Sequence, residues 1–457
     1  MTTPHDASTD TTSRTAPALD APWSHLRTAA HRLSVPDDIE QRLLYARQRQ
    51  QIAIPFERDD GTIDVRAGYR VRHDDVRGPY IGPHRYVPGL TIGDCAGLGV
   101  ATAVTAALAD VPFGGAAGGI DCDPETLSWD ERARLTRSYA RRITDLGPNS
   151  DVLVPDLGTD ERTMARAADA VAERVDGPHT ATAAGKPAVL GGSREFTCAG
   201  GHSVAHVVRD ILETDLDRSL DEGTVAVYGT STVGATTARL LDRWGSTIVA
   251  LCSDHVGLAA DAEGDGDGDS DSDGESETLE QGTGDEDGDD DATDDGIDTT
   301  VAPSYLDGPG AIDEFSGGTM TGTENVLEAD VDALVLAGSG TAVTARNAET
   351  IRADLVVEGA YGAVTAGGQR VLEERDVAVV PAVLSLAGKL SAASLEWRRH
   401  VGRSEMSDTR MANELSYAVI DAVSDVRAHR VRRDVGWRDG AYELGLSRLV
   451  SAHEVVR

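Results

Sequence analysis

Residues 222–253 read EGTVAVYGTSTVGATTARLLDRWGSTIVALCS. Residues 224–228 are a short, nearly uncharged run of strand length, and residues 233–244 carry apolar side chains at helical spacing. Residues 247–251 return to a strand pattern. A strand, a tight turn, a helix and a second strand in about thirty residues form a crossover unit, and crossover units build parallel sheets. The theme recurs in ALVLAG (333–338), LVVEGA (355–360) and VAVVPA (377–382), with a helix expected at 344–352. The reading is an α/β chain with a Rossmann-like, doubly wound domain starting near Lys186. Its turn, Gly229, Ser231, Thr232, Val233 and Gly234, stands where such folds hold the phosphates of a dinucleotide. Ser231 occupies the place of the second glycine, which lets the backbone approach the pyrophosphate. Asp254, one position beyond the usual place, is the candidate for the acidic ribose contact.

Upstream the pattern changes. Residues 1–22 are rich in Thr, Ser, Asp and Pro and are expected to be disordered. Residues 23–51 show helical amphipathicity, 62–75 alternate as a strand, and 92–108 form a helix of small residues. PFGGAAGGID (112–121) reads as a glycine-rich loop, and 129–146 and 160–173 read as helices. Residues 407–452 are largely helical. The expected organisation is a substrate and oligomerisation domain over 23–185 and a Rossmann-like domain over 186–420. Helices over 421–457 then pack back on the first domain.

The chain has 457 residues, 78 acidic against 42 Lys and Arg, and a formal charge of −36. Only two of the basic residues are lysines, Lys186 and Lys389. An acidic, arginine-biased surface suits molar salt, where the Debye length shrinks to roughly 3 Å. It excludes nucleic acid as a partner, which would need basic patches. Cys95, Cys122, Cys198 and Cys252 show no metal-type spacing and read as isolated reduced thiols. No apolar run reaches the roughly 18 residues of a membrane span, and the N-terminus lacks an apolar leader. A cytoplasmic protein with no membrane partner is expected.

Residues 261–298 hold 19 acidic and no basic side chains and are read as a disordered insertion. Within them Asp269, Asp271, Asp273, Gly274 and Glu280 match the spacing of a calcium loop. A tract made of Asp, Gly, Ser and Glu produces that match easily, and no amphipathic helices flank it. No metal is therefore expected.

Seven segments share an order: GYRVRHDDVRGPYIGPHRYVP (68–88), DVPFGGAAGGIDCDPETLS (110–128), VPDLGT (154–159), GKPAVLGGS (185–193), TVAVYGTSTVG (224–234), VVEGAYGAVT (356–365) and LEW (395–397). In this order the chain resembles the glutamate/leucine/phenylalanine/valine dehydrogenase family over roughly residues 30–450. The resemblance implies two α/β domains facing a cleft, NAD or NADP as cofactor, an amino acid or 2-oxo acid as ligand, and a hexamer. It also implies losses. The family's substrate lysines fall on Ile81 and Thr105, and its catalytic lysine falls on Ala117. The nicotinamide-side threonine falls on Gly200, an asparagine on Tyr361 and a serine on Ala393. Asp156, Arg85, Gly114 and Gly115 are kept, together with Gly118 and Gly119.

Oxidative deamination needs a base of near-neutral pKa, which the family obtains from a desolvated lysine. Alanine cannot serve, and a guanidinium stays protonated, so Arg85 is left to bind a carboxylate. The sequence leaves no lysine in view for the cleft. Asp156 has two readings, a retained catalytic acid or a cap for the following helix. His84 and His202 read as packing or surface residues. Two functions follow. One is a catalytically impaired paralogue, a binding or regulatory subunit in a homo-hexamer or in a mixed oligomer with an active sister. The other is a working NAD(P)-dependent dehydrogenase with relocated catalytic groups.

Overall fold

The computed structural model describes residues 21–172, 174, 178–253, 255–260, 296–300, 302, 318–402 and 406–457. Helices α1 (Ala21–Leu33) and α2 (Asp37–Leu44) lead into a hairpin of β1 (Gln48–Glu57) and β2 (Ile63–Asp74). Then come β3 (Tyr80–Tyr86), α3 (Ile92–Leu108), β4 (Gly114–Ile120), α4 (Trp129–Arg142), β5 (Asp151–Pro155) and α5 (Glu161–Ala170). The sheet order is β1-β2-β4-β3-β5. β1, β2 and β4 pair antiparallel, and β3 runs parallel to both of its neighbours. Helices α3 and α4 begin at capping boxes, Thr91 with Asp94 and Ser128 with Glu131. Arg70 lies fully buried and forks onto Asp151 at the head of β5, at 3.0 and 2.5 Å, and Arg72 adds a contact of 2.7 Å. This ion pair fixes the strand that delivers Asp156.

The segment expected to be a glycine-rich loop is the strand β4, buried along its whole length. Glycine is required there by close approach. A Cβ at Gly114 would lie 1.8 Å from the Asp74 carbonyl oxygen, and one at Gly115 would lie 2.4 Å from that of Gly99 in α3. Small residues on both surfaces let α3 sit against the sheet. Two further expectations shift. The helical reading of 23–51 ends at α2, because β1 begins at Gln48. Residues 21–22, expected to be disordered, belong to α1.

The second sheet is built from α6 (Arg194–Asp215), β6 (Thr224–Tyr228), α7 (Thr232–Arg243), β7 (Thr247–Cys252), β8 (Gly257–Ala259), β9 (Thr319–Thr321), α8 (Thr323–Leu327), β10 (Ala333–Leu336), β11 (Leu355–Glu358), α9 (Ala366–Glu374) and β12 (Ala378–Val380). Its order is β12-β11-β10-β6-β7-β8-β9. The first five are parallel, and β8 and β9 close one edge antiparallel. Val225 and Val227 face a core with Leu241 of α7, while Ala226, Leu334 and Val356 face one with Leu372 of α9. Covering both faces is what makes the strands near-continuous apolar runs. The helix expected at 344–352 is instead a series of turns. The Asn347 side chain accepts from the Thr344 amide at 2.7 Å and donates to the Ala342 carbonyl at 2.8 Å, taking the place of helical backbone bonds.

Short α10 (Ala382–Ser385) and α11 (Ala387–Gly402) run back toward the first sheet, followed by α12 (Asp408–Arg433) and α13 (Trp437–Val455). The expected division at 420/421 falls inside the unbroken α12. Helix α13 packs on α1 and α3, and His453 bonds Asp74 of β2 at 2.8 Å. Arg438, also on α13, pairs with Glu358 of β11 at 3.0 Å, so this helix holds both sheets.

Candidate active site

A cavity of about 500 Å³ opens between the two sheets. Its walls come from β3, the turn after β5, α6, the start of α7, the ends of β10 and β11, and α11. It lies beyond the carboxyl ends of parallel strands. There β6 has β7 on one side and β10 on the other, the switch point where open α/β sheets take ligands.

Arg85 and Asp156 meet in this wall. The Arg85 guanidinium donates through Nε (3.2 Å) and Nη2 (2.6 Å), both to Oδ2 of Asp156. Burial works to raise the Asp156 carboxyl, but Arg85 and Lys389 outweigh it and hold it below the ordinary carboxylate range. Asp156 does not cap the next helix. Asp160 does, accepting from the Thr163 amide at 2.7 Å. Thr159 holds the turn by donating to the His84 carbonyl at 2.8 Å. His84 itself is fully buried, its ring 4.3 Å from that of Tyr139.

Ile81, Thr105, Ala117, Gly114 and Gly115 stay off the cavity wall. Ile81 and Ala117 are fully buried core residues. Tyr361, where the resemblance places an asparagine, lies against Ala117 and Thr105. Its ring packs on Leu98 and Ala117, and its hydroxyl lies 3.1 Å from Thr105 Oγ1. Thr105 Oγ1 also donates to the Ala101 carbonyl at 2.9 Å. Burial pushes the Tyr361 phenol up to about 12, so it remains protonated at neutral pH and supplies no base.

Lys389 of α11 lines the cavity, contrary to the expectation that the cleft holds no lysine. Burial and Arg85 lower its proton affinity, while Asp156 works to raise it. A signal for it was present. It is one of two lysines and precedes Ala393 by four residues, one helical turn on the same face. Lys186 has a different place. Its ammonium donates to Glu396 at 2.6 Å and to the Ala183 carbonyl, buried beneath the cavity wall.

In the turn between β6 and α7, Gly229 adopts φ +112°, and a Cβ at Gly234 would lie 1.9 Å from the Gly229 carbonyl oxygen. Both glycines serve the backbone and stay off the cavity wall, whereas Ser231, Thr232 and Val233 line it. The Ser231 hydroxyl is turned back on the protein. It donates to the Ala337 carbonyl at 2.9 Å and accepts from the Gly234 amide at 3.4 Å. Asp254 and the calcium-like spacing at 269–280 lie outside the described residues. Among the described residues no group of His, Cys, Asp or Glu is placed to hold a metal, and no helix is long and apolar enough to cross a membrane.

The sequence pattern described as Glu/Leu/Phe/Val dehydrogenase, dimerisation domain, matches residues 47–173. That described as Glutamate/Leucine/Phenylalanine/Valine dehydrogenase matches 191–270 and 292–456. NAD-specific glutamate dehydrogenase A of Halobacterium salinarum is 40% identical over 438 residues, 96% of this chain and 93% of that protein. Glutamate dehydrogenase B of Halobacterium salinarum is 38% identical over 455 residues, 99% and 98% of the two chains. A hetero-hexameric glutamate dehydrogenase from Thermus thermophilus, solved in a Leu-bound form, superposes with a TM-score of 0.83 at 29% identity, over 97% of this chain and 98% of that one. With its two sheets, its cleft and these likenesses, the chain belongs to the Glu/Leu/Phe/Val dehydrogenase family.

Proposed function

We propose that this chain is a glutamate-dehydrogenase-like subunit impaired in the family's oxidative deamination, which binds an amino acid or 2-oxo acid and acts as a regulatory partner. The observation that carries this reading is Tyr361. A lysine lost by chance would leave a hole. Here the phenol ring packs on Ala117 and the hydroxyl meets Thr105, so two of the three positions where the resemblance places lysines are taken up by a packed, hydrogen-bonded contact. Loss of general acid–base assistance alone costs about 10²–10⁴-fold. The likeness to a hetero-hexameric enzyme supports assembly with an active sister subunit, with a homo-hexamer as the simpler form. We place the substrate-side domain from α1 to residue 185, the Rossmann-like domain from 186 to the end of α11, and the returning helices α12 and α13 beyond, in a cytoplasm of high salt that suits the charge of −36.

A nicotinamide cofactor, when bound, supplies the hydride acceptor. The residues that would hold its phosphates are Thr232 and Val233 at the start of α7, beside Ser231. Ser231 draws the Gly234 amide to its own hydroxyl, which leaves one donor fewer for phosphate and supports weakened NAD or NADP binding.

Lys389 favours a second reading, an active enzyme in which this amine has replaced the missing base beside Asp156. One assay separates the two. Purified protein is given glutamate, leucine or their 2-oxo acids with ammonia, and NAD(H) or NADP(H), in molar KCl. The expected result is turnover well under about 1 s⁻¹, the low end of ordinary enzymes. Turnover above that value, abolished by Lys389→Met, would establish the second reading instead.

A further inference from the structure

We infer that the cleft selects a monocarboxylate with an apolar side chain, an amino acid or 2-oxo acid, and that Lys389 is the residue that anchors its carboxylate. This rests on the reading that the cleft binds such a ligand.

The charges in the wall decide the class. Among the described residues the cavity is lined by two cations, Arg85 and Lys389, and three carboxylates, Asp156, Asp160 and Glu161. Arg85 is already forked onto Asp156. The Lys389 ammonium makes no hydrogen bond or ion pair to any described residue. One cation therefore remains for an incoming anion. A second carboxylate on the ligand would lie among like charges with no counter-ion, and an unpaired charge in a partly desolvated site is costly.

Val154, Phe196, Val233, Leu386 and Leu390 give the wall an apolar part that suits an apolar body, beside hydroxyl-bearing Thr102 and Thr197. Gly200 completes the arrangement. A Cβ there would lie 3.9 Å from Lys389 Cδ and 2.9 Å from Val233 Cγ2. The bare α6 backbone thus accommodates Val233 and leaves the lysine stem in ordinary contact distance. Burial works against the Lys389 charge, and an incoming carboxylate would offset it. Asp156 accepts from Arg85 through Oδ2, which leaves Oδ1 outside that fork, and the Leu157 amide also supports the carboxylate that would face an α-ammonium.

The test is calorimetry on the full chain in molar KCl with four probes: 4-methyl-2-oxopentanoate, L-leucine, 2-oxoglutarate and L-glutamate. The monocarboxylates are expected to bind at least about tenfold more tightly, the scale of one charge-assisted hydrogen bond. Lys389→Met should weaken them about tenfold or more, and Lys389→Arg should restore part of the loss. Lys389→Gln, which keeps a polar side chain but removes the charge, should also weaken them and serves if Lys389→Met does not fold. Tighter dicarboxylate binding overturns the inference and leaves the binding role standing. So does monocarboxylate binding that Lys389→Met, or Lys389→Gln in its place, does not change. Silence with all four probes removes both.

Discussion

His84 sits one position before Arg85, off the cavity wall and inside the core. Its ring is fully buried between Tyr86 and Tyr139, and neither ring nitrogen has a partner among the described residues. Burial, and then Arg70, lower its pKa from 6.5 to about 3. Above pH 6.5 neither the folded nor the unfolded chain protonates it. Below that, the unfolded chain takes a proton that the folded one refuses, so stability falls as pH falls toward about 3. By pH 5 this one ring costs about 2 kcal/mol. His84→Phe, measured by denaturant unfolding at pH 7 and pH 5, should lose about 2 kcal/mol less than the parent over that interval. An unchanged acid limb would show that the ring is charged or solvated. Residue identity was enough to mark Ile81 and Ala117 as departures from the pattern the resemblance implies, because each lies inside a recognisable segment, and Thr105 followed by its spacing of twelve from Ala117. It was not enough to place Tyr361 against Thr105, since that contact joins positions 256 residues apart. The helical spacing from Ala393 could have disclosed Lys389, yet a lysine outside the known segments carried no motif to draw attention.

Elements read well from sequence where one period ran uninterrupted, as in α3 or the five parallel strands of the second sheet. They misled where glycine served packing. Gly114 to Gly119 look like a loop because glycine usually frees the backbone, but here it is the price of burying a strand between β2 and β3 with α3 on its face. α11 shows a different coupling between elements. Its Glu396 accepts from the Gly185 amide at 2.9 Å and from Lys186 at 2.6 Å, pinning the helix to the segment that joins the two sheets. Both side chains are almost wholly buried. Lys186→Met should therefore destabilise by about 3–5 kcal/mol, since it strands a carboxylate in the interior. Adding Glu396→Gln should recover most of that loss, because the amide oxygen still accepts from Gly185 and no charge stays buried. Thermal and urea unfolding of the three proteins would check the pattern. A double variant as weak as the single one would mean that packing, not charge, sets the cost.

Over the whole molecule the charge of −36 outweighs any one ion pair. Diluting KCl from about 1 M to about 0.1 M stretches the Debye length from roughly 3 to 10 Å and exposes surface carboxylates to one another. The melting temperature should fall steadily across that range, followed by circular dichroism. A flat or rising curve would show that the acidic surface does not govern stability. The path of the chain has a consequence for its making. Arg433 of α12 reaches the Arg32 carbonyl of α1 from 401 positions away, and α13 seals the same region against α3 and β2. During synthesis the early strands leave the ribosome long before the helix that closes over them. They must wait, with an apolar flank uncovered, until translation has passed residue 455, and this protein's need for a holding chaperone is greatest in that interval.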